Sequence, residues 1–356
     1  MRAWAVTQNG LQLDPQRPSP AQSASAITGS SLLLRVRYAG LNPADLALMA
    51  TFPSWLPWRR NPIAGLDFVG EVVAAGPQAP PALAVPGTLV CGALGVRQAF
   101  FGAGTLAEAL VVPAELVAAV PQRFLASSTR GGGGDLRAAV GLGITGQTAA
   151  LVVREAEARG TGRIADWAGV RVLVNGASGG VGSILTHVLK ARGAHVAGVC
   201  SGANEEMVRK LGADEVIDYT AHQDVYGFIA ESIRDGQQFD LVVDCVGDDS
   251  LFTRSTGYLK PEGRFLCITG GKSQGVYPFL MHQIRPVLLG RTPRSFKILG
   301  MGPSGAGARE VAGWAEKGEL KEIAIDSEFK MDEVIQAYEK VASKRAKGKV
   351  VIRISE

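Results

Sequence analysis

The first third of the chain consists of short apolar runs that Gly, Pro and polar residues separate. One run, residues 32–38, alternates apolar side chains with Arg35 and Arg37, as expected of a β-strand that buries a single face. We predict further strands at residues 1–6, 67–74, 88–92 and 106–112. Short strands with turn residues between them favour an antiparallel, barrel-like β domain.

From residue 170 onward, apolar runs of strand length alternate with segments of helical spacing. The predicted strands are residues 170–175, 195–200, 215–219, 239–245 and 264–268. Alternation of this kind is typical of a doubly wound parallel sheet. The sequence therefore predicts an α/β protein with a parallel-sheet domain in its second half.

Near the C-terminus the pattern changes again. Residues 331–342 place Val334, Tyr338 and Val341 on one helical face, and residues 349–354 form a final apolar strand. These elements are expected to complete the β domain of the first third.

The domain boundaries follow from these patterns. We expect the chain to return to the β domain near residues 294–300. The β domain then comprises residues 1–140 plus 295–356, and the parallel-sheet domain comprises residues 141–294. A cleft between two domains is a common place for a small-molecule pocket, so we expect the active site there.

Length and composition exclude several classes of protein. A chain of 356 residues exceeds what one core usually accommodates, and 46% hydrophobic and 20% charged residues suit a globular protein. The net charge is only +4, without a basic stripe, so nucleic acid is not an expected partner. We expect no membrane span, and the N-terminus resembles a first strand and not a presequence, which predicts a cytoplasmic protein.

The cysteines and histidines do not indicate a metal site. The four cysteines form no CxxC pair, and three of them close or occupy predicted buried strands. All four histidines lie at or beyond residue 187. A zinc site in the β domain would therefore lack its usual imidazole ligands, and we predict no metal.

A glycine-rich turn follows the first predicted strand of the parallel sheet. Gly176, Gly179, Gly180 and Gly182 lie between this strand and a segment of helical spacing. Such glycines let the backbone approach a dinucleotide pyrophosphate, whose charge the amides and dipole of the helix N-terminus stabilise. The alternative is an ordinary tight turn, but the repeated β/α units favour the dinucleotide.

Several further elements, taken in order, resemble the medium-chain dehydrogenase/reductase superfamily, in its zinc-free quinone oxidoreductase branch. The matching segments are residues 39–45, 65–70, 104–108, 146–149, 176–182, 210–219 and 348–351. The resemblance implies a GroES-like β-barrel catalytic domain and a Rossmann nucleotide-binding domain. Within the branch the chain is similar to the mitochondrial and fungal reticulon-interacting reductases, which leaves a mitochondrial location open, and more distantly to enoyl reductases.

The resemblance also implies a metal-free reaction. Zinc-dependent relatives carry Cys near the position of Asn42 and His near Asp67, and neither ligand is present here. The implied reaction is hydride transfer from NADPH to a quinone or to an activated C=C bond of an enone or enoyl substrate. A zinc-dependent alcohol dehydrogenase and a non-catalytic NADPH-binding interaction protein are the alternatives.

The resemblance assigns site residues by position. Asn42 is the candidate for polarising the substrate carbonyl, although an Asn before Pro43 also caps turns. Asp45 is expected to order that turn or to cap the following helix, and not to move a proton. The implied cofactor-binding residues are Asn42, Asp45, Thr148, Ser178, Gly179, Gly180, Val181, Ser201, Tyr219, Val246, Gly247 and Lys349.

The end of the second parallel strand indicates the cofactor. NAD-specific enzymes place an acidic residue there, whereas this chain has no acidic residue until Glu205. Ser201 and Tyr219 match family residues beside a 2′-phosphate, but a Lys of some relatives is replaced by Asn204. NADPH is the prediction. The alternative role of Ser201 and Asn204 is helix capping.

The substrate and the oligomeric state follow least directly from the sequence. Phe52, Trp55 and Trp58 would line an apolar small-molecule pocket or pack on the surface. Residues 277–282 offer a second apolar lining or a subunit contact. The protein is expected to be a monomer, or a homodimer that extends one six-stranded sheet across a two-fold axis.

Overall fold

The computed structural model describes residues 1–20, 27–52, 59–125, 135–233, 236–269, 277–284 and 286–355. The chain divides into two compact units. The first unit comprises Met1–Gln147, Gly302–Gly318 and Glu322–Glu356, and the second comprises Thr148–Met301 and Glu319–Lys321. Among the described residues, no helix has the length and apolar character needed to cross a membrane.

Strands and helices are numbered in chain order. The strands are β1 (Ala3–Thr7), β2 (Gly10–Asp14), β3 (Ser31–Leu41), β4 (Asp67–Ala75), β5 (Leu89–Ala93), β6 (Ala109–Pro113), β7 (Val117–Ala119), β8 (Arg171–Asn175), β9 (His195–Cys200), β10 (Glu215–Asp218), β11 (Phe239–Asp244), β12 (Leu259–Cys267), β13 (Ser295–Ile298), β14 (Ile325–Lys330) and β15 (Lys349–Arg353). The helices are α1 (Pro43–Thr51), α2 (Val96–Phe100), α3 (Gln122–Leu125), α4 (Ile144–Glu157), α5 (Gly180–Ala191), α6 (Glu205–Lys210), α7 (Val225–Ser232), α8 (Asp249–Thr253), α9 (Tyr277–Ile284), α10 (Gly305–Glu316) and α11 (Val334–Ala342).

The first unit is built around a mainly antiparallel sheet. In the described ranges its strand order is β14-β15-β3-β4-β5-β7, with β6 also paired to β3, and β14–β15 is a parallel pair. The predicted alternation is confirmed where Leu34 and Val36 are buried and Arg35 is exposed. An irregularity in the β3–β4 pairing between Val36 and Tyr38 ends that alternation, so Tyr38 is only half-buried.

The second unit contains the predicted parallel sheet. Over the part of the chain that is described, six strands lie in the order β10-β9-β8-β11-β12-β13, and every pairing between them is parallel. The strand order reverses between β8 and β11, which defines the topological switch point of a doubly wound fold. The fold class predicted from the sequence is therefore confirmed.

The end of this unit differs from the prediction. Residues 294–300 do not return to the β domain, because Ser295–Ile298 forms β13 and pairs with β12 at the edge of the parallel sheet. Phe296 is buried there against the rings of Phe252 and Phe265. A strand of four residues does not reveal from its own pattern which sheet it joins.

Candidate cofactor and active site

The glycine turn of the second unit has the geometry of an anion site. β8 ends at Asn175, Gly176 takes a left-handed φ of 82°, and α5 begins at Gly180 without a side-chain cap. The amides of its first turn therefore have no capping side chain, and the positive end of the helix dipole adds to them. A Cβ on Gly182 would lie 2.1 Å from the carbonyl oxygen of Gly176, so the close strand–helix approach requires glycine. These features fit a dinucleotide pyrophosphate at Gly179, Gly180 and Val181.

Ser178 and Asn204 meet beside this turn. The Asn204 Nδ2 donates to Ser178 Oγ at 3.0 Å, and Asn204 Oδ1 is buried without a hydrogen-bond partner among the described residues. Ser201 and Asn204 occupy the N-cap positions of a short 3-10 turn and of α6, but neither side chain makes a capping hydrogen bond. A buried polar atom without a partner is rare in a protein and is consistent with a ligand contact.

The ends of β9 and β10 bring a carboxylate that the sequence argument missed. The Tyr219 amide donates to the Cys200 carbonyl at 3.1 Å, which places Tyr219 next to the end of β9 and leaves its side chain 53% exposed. Asp218 precedes it, and a Cβ on Gly202 would lie 2.4 Å from Asp218 Oδ2. Hydrogen bonds from Thr220 hold the pKa of Asp218 below its ordinary value, so it is charged. The acid comes from the neighbouring strand and not from the end of β9 itself.

A second missed residue, Asp244, organises the loop at the switch point. Its Oδ1 accepts the amides of Val246 at 2.9 Å and Gly247 at 3.0 Å, and its Oδ2 accepts the Asp248 amide at 2.9 Å. The Asn175 Nδ2 donates to the same carboxyl group at 3.0 Å, which joins the ends of β8 and β11. Asp244 thus holds the two residues predicted to contact the cofactor, Val246 and Gly247. The sequence feature that could have identified Asp244 is its place as the last residue of β11, the strand at the switch point.

In the first unit, Asn42 and Asp45 form one turn at the end of β3. The Asn42 backbone amide donates to Asp45 Oδ2 at 2.8 Å, which confirms that Asp45 orders the turn before α1. Both residues are only 2% exposed. Asp45 Oδ1 is buried and has no hydrogen-bond partner within the described ranges. Burial, with a smaller effect of the Asp67 carboxylate, raises the pKa of Asp45 to about 8.

The Asn42 side chain does more than cap a turn. Its Oδ1 accepts from Lys349 Nζ at 2.6 Å, and its Nδ2 donates to Asp67 Oδ2 at 3.0 Å. Lys349 Nζ also lies 2.5 Å from Asp67 Oδ2, and both residues are at most 2% exposed. Asp67 Oδ1 accepts the Ile144 amide at 2.7 Å, at the start of α4. In the sequence, Asp67 only marks the position of an absent zinc ligand, and this network becomes visible in the structure.

Thr148 and Lys349 are the other two residues predicted to bind the cofactor near Asn42. Thr148 lies on α4 and is 7% exposed. Lys349 was predicted to contact the cofactor, but the structure directs its ammonium group to Asn42 and Asp67.

A small cavity lies under α1. It has a volume of about 20 Å³, room for roughly one water molecule, and its lining includes Asp45, Met49 and Arg59. Phe52 contacts the Phe100 ring at 5.2 Å and lies beneath the Arg59 guanidinium, so it packs within the unit. Trp55 and Trp58, the other predicted pocket residues, lie outside the described residues.

The described residues contain no group of three or more His, Cys, Asp or Glu side chains arranged to hold a metal ion. All four cysteines are free, and burial raises the pKa of the Cys91 thiol to about 12. In the predicted subunit-contact segment, His282 Nε2 lies 2.5 Å from Asp249 Oδ1, and Leu280 is exposed.

Comparison with known proteins agrees with this architecture. Residues 29–122 match the alcohol dehydrogenase GroES-like domain family, and residues 211–352 match the zinc-binding dehydrogenase family. The chain is 36% identical to medium chain reductase pydE of Acremonium sp over 374 residues, which cover 99% of each chain. It is 32% identical to trans-enoyl reductase poxH of Penicillium oxalicum over 393 residues, covering 100% of this chain and 98% of that protein.

Among solved structures, the quinone oxidoreductase from Coxiella burnetii has the same fold, with a TM-score of 0.74 at 20% identity over 100% of this chain and 99% of that chain. The full-length similarity to a medium chain reductase shows the family and confirms the resemblance found in the sequence. The chain belongs to the medium-chain dehydrogenase/reductase superfamily, with trans-enoyl reductases among its full-length relatives, and is a nicotinamide-dependent reductase.

Proposed function

We propose that this protein is an NADPH-dependent, zinc-independent reductase of a C=C bond conjugated to a carbonyl, as in an enone or an enoyl thioester, with quinones as a second class of acceptor. The observation that carries the proposal is the Asn42 amide, which is buried and neutral and is held between an ammonium and a carboxylate group. The similarity to trans-enoyl reductases over the whole chain supports the enoyl class.

Each unit contains residues that are proposed to bind the cofactor. In the second unit, the amides at Gly180 and Val181 would hold the pyrophosphate, and the Asp244-braced loop at Val246 and Gly247 would support the nicotinamide half. In the first unit, Asn42 lies beside the reacting groups in this proposal. When bound, the nicotinamide supplies a hydride to the electrophilic carbon of the substrate.

The chemical role proposed for Asn42 is to donate a hydrogen bond to the substrate carbonyl oxygen. One of its two Nδ2 hydrogens is donated to Asp67, and in this proposal the second is donated to the substrate. Negative charge grows on the carbonyl oxygen as the enolate forms, and a preoriented donor in a dry site stabilises that charge at little reorganisation cost. Asp45 keeps the Asn42 backbone in place through its hydrogen bond to the Asn42 amide.

The donor set around Asn42 supports a reaction without zinc. Zinc in proteins takes thiolate, imidazole and carboxylate ligands. Here the carboxylate oxygen of Asp67 and the amide oxygen of Asn42 both accept hydrogen bonds from the ammonium group of Lys349. The ammonium group of Lys349 thus occupies these two acceptor oxygens.

NADPH is proposed because Ser201, Asn204 and Tyr219 lie together at the ends of β9 and β10 and present polar groups to a 2′-phosphate. The opposing factor is the Asp218 carboxylate, whose Oδ1 accepts the Thr220 amide at 2.8 Å and the Thr220 hydroxyl at 2.7 Å. Calorimetric titration with NADPH and NADH tests this choice. We expect NADPH to bind more tightly and Asn204→Lys to widen the difference, whereas equal affinities would refute NADPH preference.

The reaction itself is tested by following the nicotinamide absorbance of NADPH with a panel of enones, enoyl thioesters, quinones and saturated ketones. We expect oxidation with the conjugated acceptors, none with the saturated ketones, and a loss of roughly 100-fold in turnover for Asn42→Ala, the usual effect of removing one oxyanion donor. Tight NADPH binding without turnover of any compound would favour the non-catalytic alternative. Unchanged turnover in Asn42→Ala would exclude the role of Asn42.

A further inference from the structure

Three strands bring Asn42, Asp67 and Lys349 to one point. In the described sheet β3 lies between β4 and β15, with Gly40 opposite Asp67 on one side and Leu41 opposite Val350 on the other. Asn42 follows β3, Asp67 begins β4 and Lys349 begins β15. A Cβ on Gly40 would lie 2.6 Å from Lys349 Cε, so glycine makes room for the lysine side chain.

The two charges determine which way the Asn42 amide faces. An ammonium group only donates hydrogen bonds, and an ionised carboxylate only accepts them. The Asn42 oxygen therefore has to face Lys349, at 2.6 Å, and its nitrogen has to face Asp67, at 3.0 Å. Rotating the amide by half a turn would oppose donor to donor and acceptor to acceptor in a buried site. An unmade hydrogen bond to a buried charged group costs more than one to a neutral group, so the rotated amide is not populated.

The ammonium group also changes the donor strength of the amide. A cation on the amide oxygen draws electron density from the nitrogen, and hydrogen-bonded chains polarise one another in a dry environment. The remaining Nδ2 hydrogen is therefore a stronger donor than that of an isolated asparagine. Lys349 itself is 2% exposed, and its ammonium group is engaged by Asn42 and Asp67.

On these grounds we propose that Lys349 and Asp67 are positioning residues that lock and polarise the Asn42 amide, and that Lys349 does not bind the cofactor directly. The inference rests on the proposed function of Asn42 as the donor to the substrate carbonyl. It assigns to Lys349 an effect on turnover that operates only through Asn42.

A double-mutant cycle tests this inference. The variants are Lys349→Met, which keeps an apolar stem without the charge, Asn42→Ala and the double variant, each assayed for enone reduction and for NADPH affinity by calorimetry. We expect Lys349→Met to lower kcat roughly 10- to 100-fold, the usual effect of removing an outer partner of an active-site group. In the Asn42→Ala background the same change should have little further effect, and NADPH affinity should stay within about two-fold.

Two results would overturn the inference. Equal losses of kcat from Lys349→Met with and without Asn42 would show a general structural effect, and a large loss of NADPH affinity in both backgrounds would show a direct cofactor contact. If Lys349→Met does not fold, Lys349→Met combined with Asp67→Asn removes both charges and leaves an acceptor oxygen for the Ile144 amide. The same low kcat is expected from this neutral pair, and wild-type kcat would contradict the inference.

A readout without turnover separates this inference from the proposed function. NMR exchange spectroscopy of the Asn42 side-chain NH₂ group in the cofactor-free protein, assigned with Asn42→Ala, should show that its two protons interchange by C–N rotation more slowly than those of an exposed asparagine, because a cation on the amide oxygen strengthens the C–N bond. Lys349→Met should speed their exchange, whereas Lys349→Arg, which keeps a cationic donor, should preserve much of the locking. A locked amide in a protein that reduces no substrate would refute only the proposed function. Rotation in the wild type as fast as in an exposed asparagine would refute the positioning role.

Discussion

The buried carboxyl group of Asp45 gives a direct test of the electrostatics of the first unit. Its Oδ2 accepts the Asn42 amide, and its Oδ1 has no partner in the described structure. Burial raises its pKa from 3.8 to about 8, with a further contribution from Asp67. The Tyr338 hydroxyl, whose own pKa burial also raises, is a nearby group and stays neutral. The folded protein therefore keeps a proton on Asp45 that the unfolded chain releases.

The sign and size of the effect follow from this difference in bound protons. Between about pH 4 and pH 8 the folded state binds one proton more than the unfolded state at this site, so the free energy of unfolding decreases as pH rises. The slope is about 1.4 kcal/mol per pH unit, which amounts to about 5 kcal/mol across the window. The contribution is fully present below the unfolded pKa and is lost once pH has risen through the folded value.

Asp45→Asn isolates this contribution, because an asparagine resembles the neutral carboxyl group and still accepts the Asn42 amide. Urea unfolding of wild type and variant at several pH values between about 5 and 8 gives the difference in unfolding free energy. We expect the stability advantage of the wild type to fall by about 1.4 kcal/mol per pH unit as pH rises.

Asp224→Asn is the matched control. Asp224 is an exposed helix N-cap, and the side chain of Arg254 lowers its pKa, so it is ionised throughout this pH range in both states. Its difference from the wild type should be constant with pH. A difference between wild type and Asp45→Asn that is equally constant would show that Asp45 is ionised in the folded protein, and the argument from burial would be wrong.

Three further substitutions test the second unit. Gly182→Ala should weaken NADPH binding roughly 10-fold or more in calorimetry, because the added Cβ would lie 2.1 Å from the Gly176 carbonyl oxygen. The control is Gly313→Ala on α10, where an added Cβ would have no neighbouring atom within 4 Å, and this variant should bind NADPH like the wild type. Asp244→Asn should weaken NADPH binding several-fold. In the wild type both carboxyl oxygens accept backbone amides of the loop, whereas in the variant the side-chain NH₂ group would face one of these amides, donor against donor. Arg264→Lys should lower the free energy of unfolding by about 2 kcal/mol, measured with urea, because the Arg264 guanidinium donates to the carbonyls of residues 155, 158 and 161 near the end of α4. Wild-type stability of this variant would contradict a stabilising role of these hydrogen bonds.

The sequence by itself determined most of the strands, the helix of residues 334–342, the glycine turn and the family, because each depends on local periodicity or on short motifs. The spacing of Gly176, Gly179 and Gly182 directly reflects a backbone that must turn and approach closely. Asp45 was also recognised correctly, since a helix N-terminus is organised by residues only three positions apart.

Only the tertiary structure decided which distant residues meet. Lys349 and Asn42 are 307 positions apart, and their contact exists because β15 and β4 flank β3. The approach of Asp218 to Gly202 likewise depends on the pairing of β10 with β9. Strand pairing and burial are properties of the whole chain: the order of strands sets which side chains adjoin, and exclusion of water then sets their charge and hydrogen bonding.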